Sequence, residues 1–143
     1  MIRHTEQKIF PYSQDQLFKL VADIERYPEF LPWCRGAIIH QRDGNKLIAE
    51  LKIGYKFFQE SYMSEVMLMP LAAINVQYAK GALKYLKNQW HFQSITPKSC
   101  QVNFDLEFEL KSSFLQKATE SVFTTIVSQM LGAFEERARF LYS

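Results

Sequence analysis

From Val102 to Lys111 apolar and polar residues alternate one for one. Val102, Phe104, Leu106, Phe108 and Leu110 fall on one side, and Asn103, Asp105, Glu107, Glu109 and Lys111 on the other. A period of two belongs to a strand with one buried and one wet face, as in an antiparallel sheet. The same period extends back to Ala37. In KLIAELKI (46–53), Leu47, Ala49, Leu51 and Ile53 alternate with Lys46, Ile48, Glu50 and Lys52. Asp43-Gly44 before it is a hairpin signal, and Gly54-Tyr55 after it predicts a second turn. FFQESYMSEVMLM (57–69), AAINVQYA (72–79) and LKYLKNQWHFQS (83–94) read as further strands. They end at Pro70, at Lys80-Gly81 and near Pro97.

The flanks differ. Residues 2–10 form a first predicted strand, stopped by Pro11. A helix follows, with Ser13 and Gln16 spaced as a capping box and Tyr12 and Leu17 as a hydrophobic staple. Leu17, Leu20, Val21 and Ile24 give its apolar stripe. Pro28 ends it, or ends a short second turn after Asp23. At the other terminus, Ser113 and Gln116 are spaced as another capping box. The stripe Ala118, Val122, Phe123, Ile126, Val127, Met130, Leu131, Phe134, Ala138 and Leu141 predicts one helix over 114–142, about 43 Å long. Gly132 lies inside it, through close backbone approach to the sheet or simple tolerance.

The predicted class is therefore α+β, a single domain over residues 1–143. A curved seven-stranded antiparallel sheet must bury its apolar face, and the C-terminal helix is the one large apolar partner. One rod cannot fill such a concave face, so a cavity between helix and sheet is expected. The loop EFLPWCRG (29–36) is expected to close one end.

Composition sharpens this picture. The 143 residues are 48% hydrophobic and 15% aromatic, with twelve Phe, which favours a thick core or an internal apolar space. The formal charge of +2 is too small to argue for nucleic acid, and no direct DNA binding is expected. Cys34 and Cys100 form no CxxC pair, and reduced thiols are expected. MIRHTEQKIFPY (1–12) holds no apolar h-region, so no signal peptide is expected, and no run approaches a membrane span. The expected location is cytoplasmic.

Catalytic patterns are lacking. Three histidines are scattered, and no HxxxH, HExxH, GxSxG or phosphate-loop pattern occurs, so no metal site and no catalytic residue is assigned. Cys34 has Arg35 beside it but no nucleophile signature, and reads as a small apolar filler. Within FFQESYMSEV, an inward Phe58 and Val66 carry Glu60, Tyr62 and Ser64 inward by parity. Either a bulge or water relieves these polar groups, or they are polar handles inside an apolar pocket. The pocket-lining candidates are Phe30, Trp33, Phe58, Tyr62, Ser64, Trp90, Phe104, Phe123, Val127 and Met130. The aromatics among them suit core as well as ligand contact.

Five segments together resemble one family: PYSQDQLFKLVADIERYPEFLPWC (11–34), IGYKFFQESYMSEV (53–66), GALKYLKNQWHF (81–92), VNFDLEFELKS (102–112) and MLGAFEERA (130–138). The chain resembles the coenzyme Q-binding protein family of START-like helix-grip domains, which includes bacterial ribosome association toxins and proteins labelled cyclase or lipid transport. Where family members carry Gly-Pro-Phe, this chain has Gly81-Ala82-Leu83. The resemblance implies a helix-grip fold binding a polyprenyl quinone (ubiquinone) or a related isoprenoid lipid. It implies support of respiratory electron transfer, without chemistry on the ligand and without a further cofactor. It also implies transient membrane contact, peripheral to the inner membrane. The toxin branch implies instead a partner in the large ribosomal subunit and blocked subunit joining. The cyclase label implies an enzyme.

Overall fold

The computed structural model describes residues 1–55 and 58–142, with the Tyr55 side chain left aside. Its elements are β1 (Ile2–Phe10), α1 (Gln14–Ala22), a 3-10 helix (Ile24–Glu29), β2 (Cys34–Asp43), β3 (Lys46–Tyr55), β4 (Phe58–Met69), β5 (Ala73–Gly81), β6 (Leu83–Thr96), β7 (Ser99–Leu110), α2 (Ser113–Ser128) and α3 (Met130–Tyr142). The strands form one antiparallel sheet in the order β1-β7-β6-β5-β4-β3-β2. The first strand thus pairs with the last, Ile2 opposite Phe108 and Phe10 opposite Cys100. This is the α+β helix-grip architecture expected from the pattern.

The strand periods hold where they were plainest. In β7 every second residue from Cys100 to Leu110 is buried. The expected turn at Gly54-Tyr55 is instead strand: Gly54 pairs with Gln59 and Tyr55 with Phe58. The reversal, and the expected strand start at Phe57, lie outside the described residues. Gly81 has φ +130°, and a Cβ there would sit 2.6 Å from the Tyr62 Cα. Only glycine permits both that backbone and that contact. Leu83, two residues further on, is buried.

The first helix starts as its spacing foretells. Ser13 Oγ accepts from the Gln16 amide at 3.1 Å, and Gln16 Oε1 accepts from the Ser13 amide at 3.0 Å. At the second helical segment the cap is Ser112 rather than Ser113, its Oγ accepting from the Leu115 amide. Gln116 does not complete a box. Its Oε1 accepts from the Leu110 amide at 2.9 Å and ties the end of β7 to α2.

The expected single C-terminal rod is two helices, interrupted at Gln129. Gly132 makes no close approach to the sheet, since a Cβ there would meet nothing within 4 Å. Just before the break, Ser128 Oγ donates to the Thr125 carbonyl and Thr125 Oγ1 to the Ser121 carbonyl. Hydroxyls that bond back to the preceding turn bend helices. After the break, α3 packs on α1 and β1. Lys8 Nζ lies 2.9 Å from Glu135 Oε1, and Tyr142 donates to the Gln16 carbonyl.

The core centres on Phe134, which is 1% exposed. Its ring meets Trp90 at 4.9 Å, Phe30 at 5.1 Å and Tyr27 at 5.5 Å, each near edge-on. One side chain thus joins α3, the sheet and the 3-10 segment. Phe134→Ala should cost about 3–5 kcal/mol. In urea the midpoint should fall while the slope stays constant; an unchanged midpoint would contradict this account of the core.

Candidate functional site

Between the sheet and its helical cover lie two adjoining apolar spaces. The larger, about 90 Å³, has walls from β3 to β7 and a roof of Ile24, Tyr27, Leu31, Met130 and Phe134. The smaller, about 60 Å³, lies under α2 against Leu83, Leu110, Phe123, Ile126 and Val127. Trp33, Tyr62, Leu86, Leu106 and Met130 border both. Trp33 also borders an open groove of about 630 Å³ between the loop and α2. It is the partition between inside and outside.

Six of the sequence candidates meet at the larger space: Trp33, Tyr62, Ser64, Trp90, Phe104 and Met130. Phe123 and Val127 join at the smaller. Phe30 and Phe58 border neither. Phe30 sits outside the roof, against Tyr27, Phe134 and the Arg137 guanidinium 5.2 Å away. Phe58 packs on Phe123 at 5.4 Å and faces an outer groove. The inward parity of β4 holds for Tyr62 and Ser64 but leaves Glu60 exposed. Glu60 lies near the strand end and borders two outer grooves rather than the inner spaces.

Polar groups in this apolar wall are few. Asn88 Nδ2 donates to the Asp105 carbonyl at 2.9 Å, and its Oδ1 accepts from Trp90 Nε1 at 3.1 Å. Tyr27 donates to the Val21 carbonyl. The hydroxyl-bearing side chains of Tyr62 and Ser64 also line this space, whereas the fully buried side-chain atoms without a hydrogen-bond partner among the described residues are Asn75 Oδ1, Gln116 Nε2 and Arg137 Nε. Burial pushes the Tyr62 phenol well above its ordinary range, with Cys34 adding to the shift. The phenol therefore stays protonated and can donate. Asn88 and Tyr27 were not anticipated. Asn88 was findable, because Leu86, Asn88 and Trp90 share one parity. Tyr27 was not, since a 3-10 segment offers no period to read.

Cys34 is buried, with Sγ 3.4 Å from the Gly36 carbonyl oxygen. Burial pushes its thiol up to about 11, against an ordinary 9.0. Cys100 is also a free, buried thiol. No group of three or more His, Cys, Asp or Glu side chains suited to a metal occurs among the described residues. No helix among them is long and apolar enough to cross a membrane.

The family model for polyketide cyclase/dehydrase and lipid transport matches residues 10–135. The ribosome association toxin RatA of Rickettsia prowazekii is 36% identical over 145 residues, covering 97% of each chain. The mitochondrial coenzyme Q-binding protein COQ10 homolog B of Xenopus laevis is 31% identical over 99% of this chain, which spans 59% of that protein. An 18 kDa protein of Caulobacter crescentus, solved in solution, is 33% identical over 99% of both chains, with a TM-score of 0.77.

The raised Cys34 thiol has two measurable consequences. At pH 8 a thiol titrating near 11 is about 0.1% ionised, against about 10% for one near 9. Iodoacetamide, followed by peptide mapping, should label Cys34 about a hundredfold more slowly in the folded protein than in urea. Equal rates would contradict the burial. The folded state also holds this proton more tightly, so its contribution to stability is complete below pH 9 and is lost as pH rises through about 11.

Proposed function

The chain belongs to the polyketide cyclase/dehydrase and lipid transport family, and from that premise we propose that it carries an isoprenoid lipid, most specifically a polyprenyl quinone, as a chaperone for respiratory electron transfer. The observation that carries the reading is the pair of hydroxyls, Tyr62 and Ser64, on the wall of a largely apolar space. Quinone carbonyls accept hydrogen bonds, and a protonated phenol and a serine both donate. The Xenopus relative named as coenzyme Q-binding supports the same ligand.

In this reading the quinone ring takes the space beside Tyr62 and Ser64. The isoprenoid tail leaves past Trp33 into the open groove, along Val122 and Ile126 of α2. Each buried CH₂ contributes about 0.8 kcal/mol. The inner spaces, about 90 and 60 Å³, are small against the roughly 300–1,000 Å³ of small-molecule pockets. Loading therefore needs the cover to move. The break at Gln129 is the joint at which α2 lifts while α3 stays anchored.

No chemistry on the ligand is proposed. Glu60 borders outer grooves rather than the inner spaces, and a phenol kept protonated by burial is not in the anionic form that takes a proton. A second reading, association with the large ribosomal subunit to block subunit joining, draws support from the Rickettsia relative, whose match spans 97% of both chains.

Organic extraction of protein made in a quinone-producing host should release quinone, identified by mass spectrometry. Recovery of no quinone or other isoprenoid would overturn the carrier reading. Tyr62→Phe removes one donor and should weaken quinone binding about 2- to 12-fold. Trp33→Ala should lose ligand with little change in melting temperature; lost stability with retained ligand would make Trp33 core alone. The ribosomal reading expects cosedimentation with large subunits at low and moderate salt, and fails if the protein stays at the top of both gradients.

A further inference from the structure

One end of the sheet differs from the other in a way the lipid cavity alone does not require. At this end β2 pairs Cys34 with Ile53 and then Gly36 with Lys52. Arg35 is thus the extra residue of a bulge, a device that re-aims a side chain. It lies across Gly54, where a Cβ would come within 2.6 Å of the Arg35 Cγ and 2.7 Å of its Nε. Glycine here leaves a saddle for the arginine. Arg3, Arg26, Arg137 and Arg139 all lie against carboxylates, whereas Arg35 and Arg42 have no such partner among the described residues, and Arg42 sits at the far end of β2, opposite Leu47. Arg35 borders both the groove outside Trp33 and a second groove with Lys52. A third groove at the same end holds Lys111 beside Leu115. Among the described residues, Glu60 is the one acid lining these grooves.

Phe114 stands at this rim, next in the chain to Leu115, and is 79% exposed. Phe140 is as exposed, but its ring lies 5.2 Å from the Arg137 guanidinium. From Ser121 to Phe134 the chain carries no charged residue, so the helix face beside the groove is neutral. Cations, a bare aromatic ring and an uncharged helix face therefore surround the entrance to an apolar cavity. Basic side chains near an anionic leaflet and an inserted aromatic ring are together what holds a peripheral protein on a bilayer.

We propose that this end is a docking surface for an anionic phospholipid bilayer, with Phe114 entering the interface and Arg35, Lys52 and Lys111 meeting lipid phosphates. The inference deepens the lipid-carrier reading and rests on it, since docking brings the Trp33 partition against the membrane from which cargo would pass. The bare ring and neutral helix face favour a lipid surface over the other polyanion to consider, RNA. The exposed Met69, Leu71 and Ile95 lie at the opposite end and border no cavity.

The test is flotation of the full chain with vesicles of phosphatidylcholine alone, and of phosphatidylcholine mixed with phosphatidylglycerol. The protein should float with the mixed vesicles, and less so as salt is raised. Arg35→Gln and Lys52→Gln should each weaken partition about fivefold, and Phe114→Ser should weaken it further. These side chains are exposed, and unchanged melting curves would confirm that the variants fold. Equal flotation with both vesicle types would overturn the proposal, as would unaffected binding by an Arg35→Glu, Phe114→Ser double variant. Binding to RNA in preference to the mixed vesicles, unchanged by Phe114→Ser, would overturn it too. Cargo is read separately by extraction. Quinone present without flotation defeats docking alone; flotation without quinone defeats the quinone assignment alone.

Discussion

The concave apolar face of the sheet must be covered, and Phe134 is where the cover takes hold. Its ring reaches Trp90 on the sheet and Tyr27 and Phe30 in the segment after α1. The elements at the two ends of the chain are gathered at this contact. Arg137, one turn later on α3, adds a 2.7 Å contact to Glu29 and lies over the Phe30 ring. The loop from Glu29 to Cys34 is thereby pinned against α3, and Trp33 is held at the edge of the interior.

The cavity follows from the mismatch between a curved sheet and straight rods. Close packing is reached where α3 lies on α1 and β1. It is not reached over the middle strands, beneath the roof of Ile24, Tyr27, Leu31, Met130 and Phe134. There the wall carries Tyr62 and Ser64, whose hydroxyls would weaken a solid core if left unpaired. Their tolerance is intelligible if something fills the space. The neighbouring Asn88 accepts from Trp90 and donates to the Asp105 carbonyl, so Tyr62 and Ser64 are the wall's free polar handles for a ligand.

Much of this was legible in the chain. Strict alternation in β7 foretold its buried face residue by residue, and Ser13 with Gln16 foretold the start of α1. The inward parity of Tyr62 and Ser64 was also readable, because a strand's two faces are set by counting. Other features were not. Glu60 shares that parity yet is exposed, because parity says which face a residue occupies and not how far the cover extends. Phe30 and Phe58 read as cavity wall but pack outside it, since an aromatic ring signals burial without saying against what. The C-terminal stripe is continuous through Gln129, and periodicity alone could not reveal that the helix breaks there.

By itself the sequence determined the element types, the faces of the strands, the absence of a patterned catalytic set and the apolar character of the interior. These depend on local spacing and side-chain chemistry, which a chain carries wherever it folds. The tertiary structure decided which polar groups remain unpaired, where the cavity ends and which arginines are left without a carboxylate. Those depend on contacts between residues far apart in the chain, such as Arg137 with Glu29 or Arg35 with Gly54. No linear pattern encodes such pairs, because the sheet's curvature and the break at Gln129 set the distances between them.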